Sequence, residues 1–190
     1  MSHELQRVVV IGTSCCGKTT LASQLAQRLR CPHIELDALH WEPNWVEKPT
    51  EAFRKLVHQA VAPERWVVDG NYGTVRDVIW PRATAILWLN YSFGRVFGRT
   101  LTRTLRRAVK KEELYSGNRE SLARALFTRD SILWWVISTF HHRRKAYRQL
   151  LESEQYAHIE WMEFRKPSEA GRFLQTVAEQ RKADSSLRSE

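Results

Sequence analysis

Residues 8–20 read VVVIGTSCCGKTT, and this stretch decides the fold. Its first four residues are β-branched, which is typical of a strand covered on both faces of a parallel sheet. The next eight fit the pattern G-x-x-x-x-G-K-[ST], in which the glycines allow backbone angles that a Cβ would penalise. Leu21, Leu25 and Leu29 then recur every four residues and predict a helix. The stretch therefore predicts a strand, a glycine-bounded loop and a helix in direct succession.

This loop is expected to bind phosphate groups. Successive backbone amides would point inward at the positive end of the following helix and form a nest for an anion. Lys18 is predicted to reach the β- and γ-phosphates of a nucleotide, and the Thr19 hydroxyl is predicted to ligate Mg²⁺. ATP and Mg²⁺ are thus the expected cofactors. The predicted nucleotide-binding residues of the loop are Gly12, Thr13, Ser14, Cys15, Cys16, Gly17, Lys18, Thr19 and Thr20.

Composition limits the class of protein. The 190 residues are enough for one domain with a substantial core. A formal net charge of +9 favours polyanionic ligands, which include nucleotides, phosphorylated small molecules, nucleic acid and acidic lipid. The three cysteines form an odd set without framework spacing, which favours the reducing cytoplasm. The longest apolar run, residues 132–137, is far shorter than the ~20 residues of a membrane span, so no membrane partner is expected.

Two further predicted strands end on an aspartate. Residues 31–37 read CPHIELD and end at Asp37, whereas residues 65–73 read RWVVDGNYG and contain Asp69. In open parallel sheets, ligands lie beyond the carboxyl ends of the strands. Asp69 is therefore the predicted second Mg²⁺ ligand, and Asp37 is predicted to orient or deprotonate an acceptor hydroxyl. A helix cap or turn remains the alternative for Asp37, and an ordinary Asp-Gly turn remains the alternative for Asp69.

Two tryptophans follow Asp37 in the segment HWEPNW, residues 40–45. Trp41 and Trp45 either wall an acceptor pocket or form a hydrophobic plug under a loop, and the sequence does not separate the two interpretations. Residues 83–89 and 156–162 are rich in apolar side chains and predict a fourth and a fifth strand.

A cationic helix is predicted from about residue 92 to 111. Its residues Arg95, Arg99, Arg103 and Arg107 recur every four positions and therefore fall on one face. A polyphosphate crossing that face would compensate their repulsion through bidentate contacts. A nucleic-acid stripe and a solvated face paired with acids elsewhere are the alternatives.

The alternation of strands and helices predicts an α/β fold with a parallel sheet and right-handed crossovers. Residues 1–180 are predicted to form a single domain, with a helical lid at about residues 112–131. Arg119, Arg124 and Arg129 are candidate phosphate ligands from that lid. The polar, aperiodic residues 181–190 are predicted to be a disordered tail.

The chain resembles adenylate-kinase-related P-loop proteins, and more closely those of the DNA topology modulation type. The resemblance rests on the P-loop together with LDALHW at residues 36–41, VDGNY at residues 68–72 and the helix that carries Arg99 and Arg103. It implies a P-loop NTPase three-layer sandwich whose five-stranded parallel sheet has the order 2-3-1-4-5. It also implies that Arg99 and Arg103 act on the phosphates and that Arg165 lies near the adenine.

The chain departs from adenylate kinases after Asp69-Gly70. Adenylate kinases continue this segment with a proline–arginine pair that helps to hold the monophosphate, whereas this chain continues with Asn71-Tyr72. The resemblance therefore supports ATP as the phosphoryl donor and leaves the acceptor open.

Two functions follow from these observations. The leading hypothesis is a Mg²⁺-dependent phosphotransferase that acts on an unidentified small molecule, with Lys18, Asp37, Arg99 and Arg103 as catalytic residues. The alternative is a nucleotide-responsive DNA-binding or topology modulation protein without kinase activity, and simple ATP hydrolysis is a third. The sequence leaves the oligomeric state undetermined. A smaller hypothesis assigns Cys15 and Cys16 lowered pKa values and redox sensitivity, because thiols at helix N-termini often have both.

Overall fold

A computed structural model describes residues 5–110 and 132–187. The predicted lid at about residues 112–131, with its three arginines, lies outside the described residues. The strands are β1 (Arg7–Gly12), β2 (His33–Glu35), β3 (Trp41–Glu42), β4 (Val46–Glu47), β5 (Trp66–Asp69), β6 (Ala85–Leu89) and β7 (Glu160–Phe164). The helices are α1 (Lys18–Leu29), α2 (Leu36–His40), α3 (Thr50–Ala60), α4 (Arg76–Ile79), α5 (Phe93–Lys110), α6 (Ile132–Leu151) and α7 (Pro167–Leu187).

Five of the strands form one parallel sheet in the order β2-β5-β1-β6-β7. Counted among themselves in chain order, these five strands have the arrangement 2-3-1-4-5, so the predicted fold class is confirmed. The remaining two strands, β3 and β4, pair antiparallel as a short hairpin that the sequence did not predict. That hairpin shifts the numbering of every later strand without changing the class.

Both faces of the sheet are covered by helices. Successive residues of β1 point to opposite faces, so Val8 and Val10 belong to one core cluster and Val9 and Ile11 to the other. The first cluster receives apolar residues from α1, α5, α6 and α7, and the second receives them from α2, α3, α4 and α6. This arrangement explains the unbroken apolar run at the start of the sequence, since neither face of β1 meets water.

Two strand ends differ from the sequence predictions. Strand β2 ends at Glu35, and Asp37 lies in the short helix α2 instead of at the strand terminus. Strand β7 begins at Glu160, four residues after the predicted start of the fifth strand. Tyr156 lies in a 3-10 turn, where its ring packs edge-on against Trp80 with 4.9 Å between the ring centroids. That aromatic contact places Tyr156 beside Trp80, and the pairing with β6 begins only at Glu160.

The last helix is longer than the sequence predicts. Its start is stabilised by Glu169, whose carboxylate accepts the backbone N–H groups of Arg165 and Lys166 at 2.7 and 3.1 Å. These two bonds hold the pKa of Glu169 below its usual value. Near the other end, the Arg181 guanidinium donates to the carbonyl of Arg28 in α1. The helix continues to Leu187 and so occupies residues 181–187, where the sequence predicts a disordered tail.

Within the described ranges, no helix has the length and apolar character needed to cross a membrane.

Candidate active site

The glycine-bounded loop between β1 and α1 packs tightly against β6. Gly12 has φ +148°, and a Cβ at this position would lie 2.7 Å from the carbonyl oxygen of Leu89 and 2.8 Å from Cys16 Sγ. Gly17 has φ +100°, where L side chains are strained. The Cys16 amide donates to the Thr13 carbonyl at 3.3 Å, which closes a turn inside the loop. The two glycines of the motif are therefore required by the backbone path itself.

The Lys18 side chain folds back over this loop. Its Nζ donates to the carbonyl oxygen of Thr13 at 3.2 Å. The ammonium group thus lies above the turn that the motif forms, where an anion on the loop would meet it. A phosphate oxygen would have to replace this carbonyl as the acceptor.

Thr19 and Asp69 meet at the predicted metal position. The Thr19 hydroxyl donates to Asp69 Oδ2 at 2.6 Å, and the Asp69 residue is only 4% exposed. The two residues were predicted as Mg²⁺ ligands, and the fold brings their oxygens together from α1 and from the end of β5. This donor set fits Mg²⁺, which prefers oxygen and is usually bound by one or two protein groups together with phosphates and water. Among the residues that the structure describes, no group of three His, Cys, Asp or Glu side chains could hold a metal ion.

His33 is a site residue that the sequence analysis missed. Its Nε2 lies 3.1 Å from Asp69 Oδ1, so His33 and Thr19 bind the two oxygens of one carboxylate. The His33 Nδ1 lies 3.9 Å from Glu35 Oε1. The contact arises because β2 and β5 are parallel with His33 opposite Val67, which makes Asp69 the diagonal neighbour of His33 on the same face. Only the pairing register reveals this contact, and the sequence pattern does not specify it.

Asn71 is the second missed residue. Its Oδ1 accepts the Gly12 amide at 3.3 Å, and its Nδ2 donates to the Gly12 carbonyl at 2.6 Å. The preceding Gly70 has φ +142°, and a Cβ there would lie 2.7 Å from Leu36 Cβ. The segment DGN, residues 69–71, therefore ties the end of β5 to the first residue of the loop, which is a structural reason for its composition.

Two of the four predicted arginines of α5 reach the loop. Arg99 donates from Nη1 to the Cys16 carbonyl at 3.0 Å and lies over the Tyr91 ring, 5.6 Å from its centroid. Arg103 approaches Cys15 Sγ with Nη1 at 3.6 Å. The Arg95 side chain is exposed, and the side chain of Arg107 lies outside what the structure describes. Together with Lys18, Arg99 and Arg103 bring three positive charges to one loop.

Asp37 lies on α2, which follows β2. In the sheet, β5 with its Asp69 lies between β2 and β1, the strand that leads into the loop. Its Oδ1 accepts a hydrogen bond from the Tyr72 hydroxyl at 2.6 Å. The side chain is partly buried, in a position that the short helix determines. Asp37 is therefore held by the residue that follows Asn71, so the segment after β5 contacts both the loop and the predicted catalytic carboxylate.

Arg165 follows the carboxyl end of β7. The loop and Asp69 lie at the carboxyl ends of their own strands, at the same end of the sheet. Its Nε and Nη2 donate to the two oxygens of Glu163 at 3.1 Å each. Glu163 also accepts Asn90 Nδ2 at 2.5 Å. Partial burial by itself would raise the pKa of Glu163. The hydrogen bonds from Arg165 and Asn90 outweigh burial and hold this pKa below its usual value. The Arg165 guanidinium, which is predicted to lie near the adenine, is therefore exposed and already paired with Glu163.

The cysteine hypothesis is wrong for Cys16. Its side chain is buried in the core cluster beneath the loop, and burial raises the pKa of the Cys16 thiol although the nearby Lys18 lowers it. Cys15 is partly exposed and has φ +61°. Cys16 is therefore a packing residue of the core beneath the loop. All three cysteines are free thiols.

Comparisons with known proteins agree with this architecture. The family described as AAA domain matches residues 7–69, which is the segment from β1 to the end of β5. No sequence among the curated proteins matches the chain.

Three solved structures are similar to this chain over more than nine tenths of its length. Shikimate kinase from Bacteroides thetaiotaomicron has a TM-score of 0.52 and 17% identity over 93% of this chain and 98% of its own. A gluconokinase from Sinorhizobium meliloti 1021 has a TM-score of 0.52 and 17% identity over 98% of both chains. Shikimate kinase from Aquifex aeolicus vf5 has a TM-score of 0.52 and 14% identity over 94% of this chain and 98% of its own. The chain therefore shares the fold of these three structures, a three-layer α/β sandwich with a glycine-bounded loop after its first strand.

Proposed function

We propose that this protein binds ATP and transfers its γ-phosphoryl group to the hydroxyl of a small molecule. The observation that carries the proposal is the convergence on one loop of Lys18, the Thr19–Asp69 pair and two arginines of α5. Phosphoryl transfer requires mainly positioning and charge neutralisation, and these groups are suited to both. The kinase-like fold supports the same reaction class.

The donor half of the proposal assigns a role to each of these groups. Thr19 and Asp69 would hold Mg²⁺, which when bound would neutralise charge on the phosphate oxygens. Lys18 would exchange the Thr13 carbonyl for phosphate oxygens, and Arg99 and Arg103 would donate to the transferred group. Arg165 would lie beside the adenine. The predicted lid at residues 112–131 remains part of the proposal and lies outside the described residues.

The acceptor half of the proposal rests on Asp37. Its carboxylate would take the proton of the acceptor hydroxyl while that oxygen forms its bond to the γ-phosphorus. The bond from the γ-phosphorus to the bridging oxygen breaks, and ADP leaves with the electron pair. Tyr72 orients the carboxyl group through Oδ1, so the other oxygen would receive the acceptor hydroxyl. The products are ADP, a phosphate monoester and one proton.

The test is a screen of metabolites and nucleosides for ADP formation, run beside three variants. Lys18→Ala should abolish ATP turnover, whereas Lys55→Ala, which changes an exposed lysine of α3, should leave it unchanged. Asp37→Asn should lower transfer by roughly 10²- to 10⁴-fold, the usual contribution of a general base, and should keep ATP affinity. Undiminished ADP formation in folded Lys18→Ala would reject the assignment.

The DNA-binding alternative makes a different prediction. Two of the four arginines that would form a nucleic-acid stripe are engaged at the loop, which weakens that interpretation. Binding to DNA through many phosphates must weaken steeply as salt rises. A salt titration with duplex DNA therefore separates the two functions, and an absence of binding at low salt removes the alternative.

A further inference from the structure

Arg99 is held at two points although the residue as a whole is exposed. Its Nη1 donates to the Cys16 carbonyl at 3.0 Å. The central carbon of its guanidinium lies over the Tyr91 ring, 5.6 Å from the ring centroid. A Cβ on Gly17 would lie 3.7 Å from Nη1, so the guanidinium also lies close to the second glycine of the loop. An exposed arginine without such contacts would populate many rotamers, and these contacts restrict Arg99 to a position at the loop.

Arg103 lies one turn further along α5 and is held less firmly. Its Nη1 approaches Cys15 Sγ at 3.6 Å, and a thiol sulfur is a weak hydrogen-bond acceptor. In the part of the chain that the structure describes, no aromatic ring lies under the Arg103 guanidinium. The two arginines that reach the loop therefore differ in one respect, which is the ring of Tyr91 beneath Arg99.

Tyr91 is fixed by the sheet and by the core. It follows β6, is only 3% exposed and belongs to the first core cluster. The preceding residue, Asn90, donates its backbone N–H to the Phe164 carbonyl at 2.9 Å, so the chain is still tied to β7 immediately before Tyr91. Helix α5 begins two residues later, at Phe93. A ring that is locked in this way can hold a flexible side chain in one place.

The contact uses the ring face of Tyr91. Among the described residues, none is hydrogen-bonded to the Tyr91 hydroxyl. Burial raises the pKa of Tyr91 to about 12 although the nearby Arg99 lowers it, so the side chain is neutral near pH 7. A neutral ring attracts a cation through its face and leaves the N–H groups at the edge of the guanidinium available. Phosphate oxygens can therefore replace the Cys16 carbonyl while the ring contact is kept.

We propose that Tyr91 positions Arg99 for the transferred phosphoryl group and thereby raises the affinity for ATP relative to that for ADP. The inference rests on the proposed function, in which Arg99 donates to the γ-phosphoryl group. Tyr91 acts through Arg99 and is a positioning residue. Contacts between a cation and a ring face correspond to about 3- to 30-fold in affinity. The affinity ratio of ATP to ADP should fall by about this factor when the ring is removed.

The experiment measures this ratio by calorimetry, with ADP and a non-hydrolysable ATP analogue titrated in the presence of Mg²⁺. Tyr91→Leu should lower the affinity for the analogue relative to ADP by about 3- to 30-fold. Tyr91→Phe keeps the ring and should retain the wild-type ratio. Val96→Ala removes buried volume from the same core cluster and should lower stability without changing the ratio. An unchanged ratio in folded Tyr91→Leu overturns the proposal.

Fluorination of the ring separates electrostatic attraction from packing. Phenylalanines with an increasing number of fluorine atoms, incorporated at position 91, keep nearly the same shape while the negative charge on the ring face decreases. The affinity ratio should therefore fall stepwise with the number of fluorine atoms. A ratio that does not respond to fluorination would leave Tyr91 a packing role alone and overturn the proposal. The same series decides the question if Tyr91→Leu does not fold.

A double-mutant cycle identifies the partner of the ring. In an Arg99→Ala background, Tyr91→Leu should have no further effect on the ratio, whereas in an Arg103→Ala background its effect should persist in full. An equal effect with and without Arg99 would overturn the proposal. If the wild type binds neither ADP nor the analogue, the proposed function fails and the role of Tyr91 fails with it. If both bind and the ratio is independent of the ring, only the role of Tyr91 is rejected.

Discussion

Replacement of His33 by alanine tests how the predicted metal ligand is positioned. His33 Nε2 lies 3.1 Å from Asp69 Oδ1, and Thr19 donates to the other oxygen at 2.6 Å. The Asp69 residue is only 4% exposed, so its carboxylate depends mainly on protein groups for hydrogen bonds. The His33→Ala variant would therefore leave one oxygen of a buried carboxylate without its hydrogen bond, and the carboxyl group would be free to rotate away from Thr19.

Two magnitudes follow from this geometry. A buried polar group that loses its partner costs about 1–3 kcal/mol, so the free energy of unfolding should fall by about that amount. Loss of a group that orients a metal ligand typically lowers metal affinity by about 10- to 100-fold. We expect the Mg²⁺-dependent part of ATP binding to weaken by about this factor, while ATP binding in the presence of a chelator should stay close to that of the wild type.

The assay is calorimetric titration of ATP with Mg²⁺ and with a chelator, together with Mn²⁺ binding to the ADP-loaded protein as a readout independent of catalysis. His33→Gln keeps a donor and should recover part of the loss. His58→Ala removes an exposed histidine of α3 and should change neither quantity. A folded His33→Ala protein with unchanged Mg²⁺ dependence would refute the positioning role.

Three further predictions concern packing, thiol reactivity and alkaline stability. Gly70→Ala should destabilise the fold, because its Cβ would lie 2.7 Å from Leu36 Cβ at φ +142°; overpacking and strain each cost about 1–3 kcal/mol, which denaturant unfolding would measure. A thiol reagent should modify Cys15 in the native protein and leave Cys16 unmodified until denaturant is added, and equal labelling by mass spectrometry would contradict the packing role. Burial raises the pKa of Tyr147 to about 12, above the value near 10 expected in the unfolded chain. The stability that this group contributes is therefore fully present below about pH 10 and is lost as the pH rises towards 12, so Tyr147→Phe should lose less stability than the wild type over that range.

The central strands could be predicted because burial on both faces leaves a strong signal in the sequence. Strands β1, β5 and β6 contain the apolar runs VVVI, WVV and AILWL. Strands β5 and β6 lie within the segments that the sequence assigned to them, and β1 extends one residue beyond its predicted run at each end. Strand β7 is at the edge of the sheet and only Phe164 of its five residues is buried, so its sequence carries a weak signal and its predicted start was wrong by four residues. The β3–β4 hairpin was missed because two-residue strands carry no period to detect.

Some contacts of the candidate site could likewise be predicted from the sequence, and others could not. The residues of the loop follow from a motif that is local in sequence, and the meeting of Thr19 with Asp69 followed from the expected strand order. The contacts of His33 and Asn71 depend on the register of parallel strands and on the path of the chain after β5. A one-residue change of register would move His33 to the opposite face of the sheet, and no pattern in the sequence selects between these registers.

The charged groups of the site are already bonded before any ligand arrives, and this sets the form that binding must take. Lys18 and Arg99 donate to the carbonyl oxygens of Thr13 and Cys16, and Thr19 donates to Asp69. A polyphosphate would therefore replace the neutral carbonyl partners of Lys18 and Arg99 with negatively charged oxygens, instead of filling empty positions. The Asn71 bonds to Gly12 involve no charged group and need not break. We therefore expect Asn71 to hold the start of the loop fixed while the cationic side chains change partners, so that the backbone is preorganised and the side chains supply the response to the ligand.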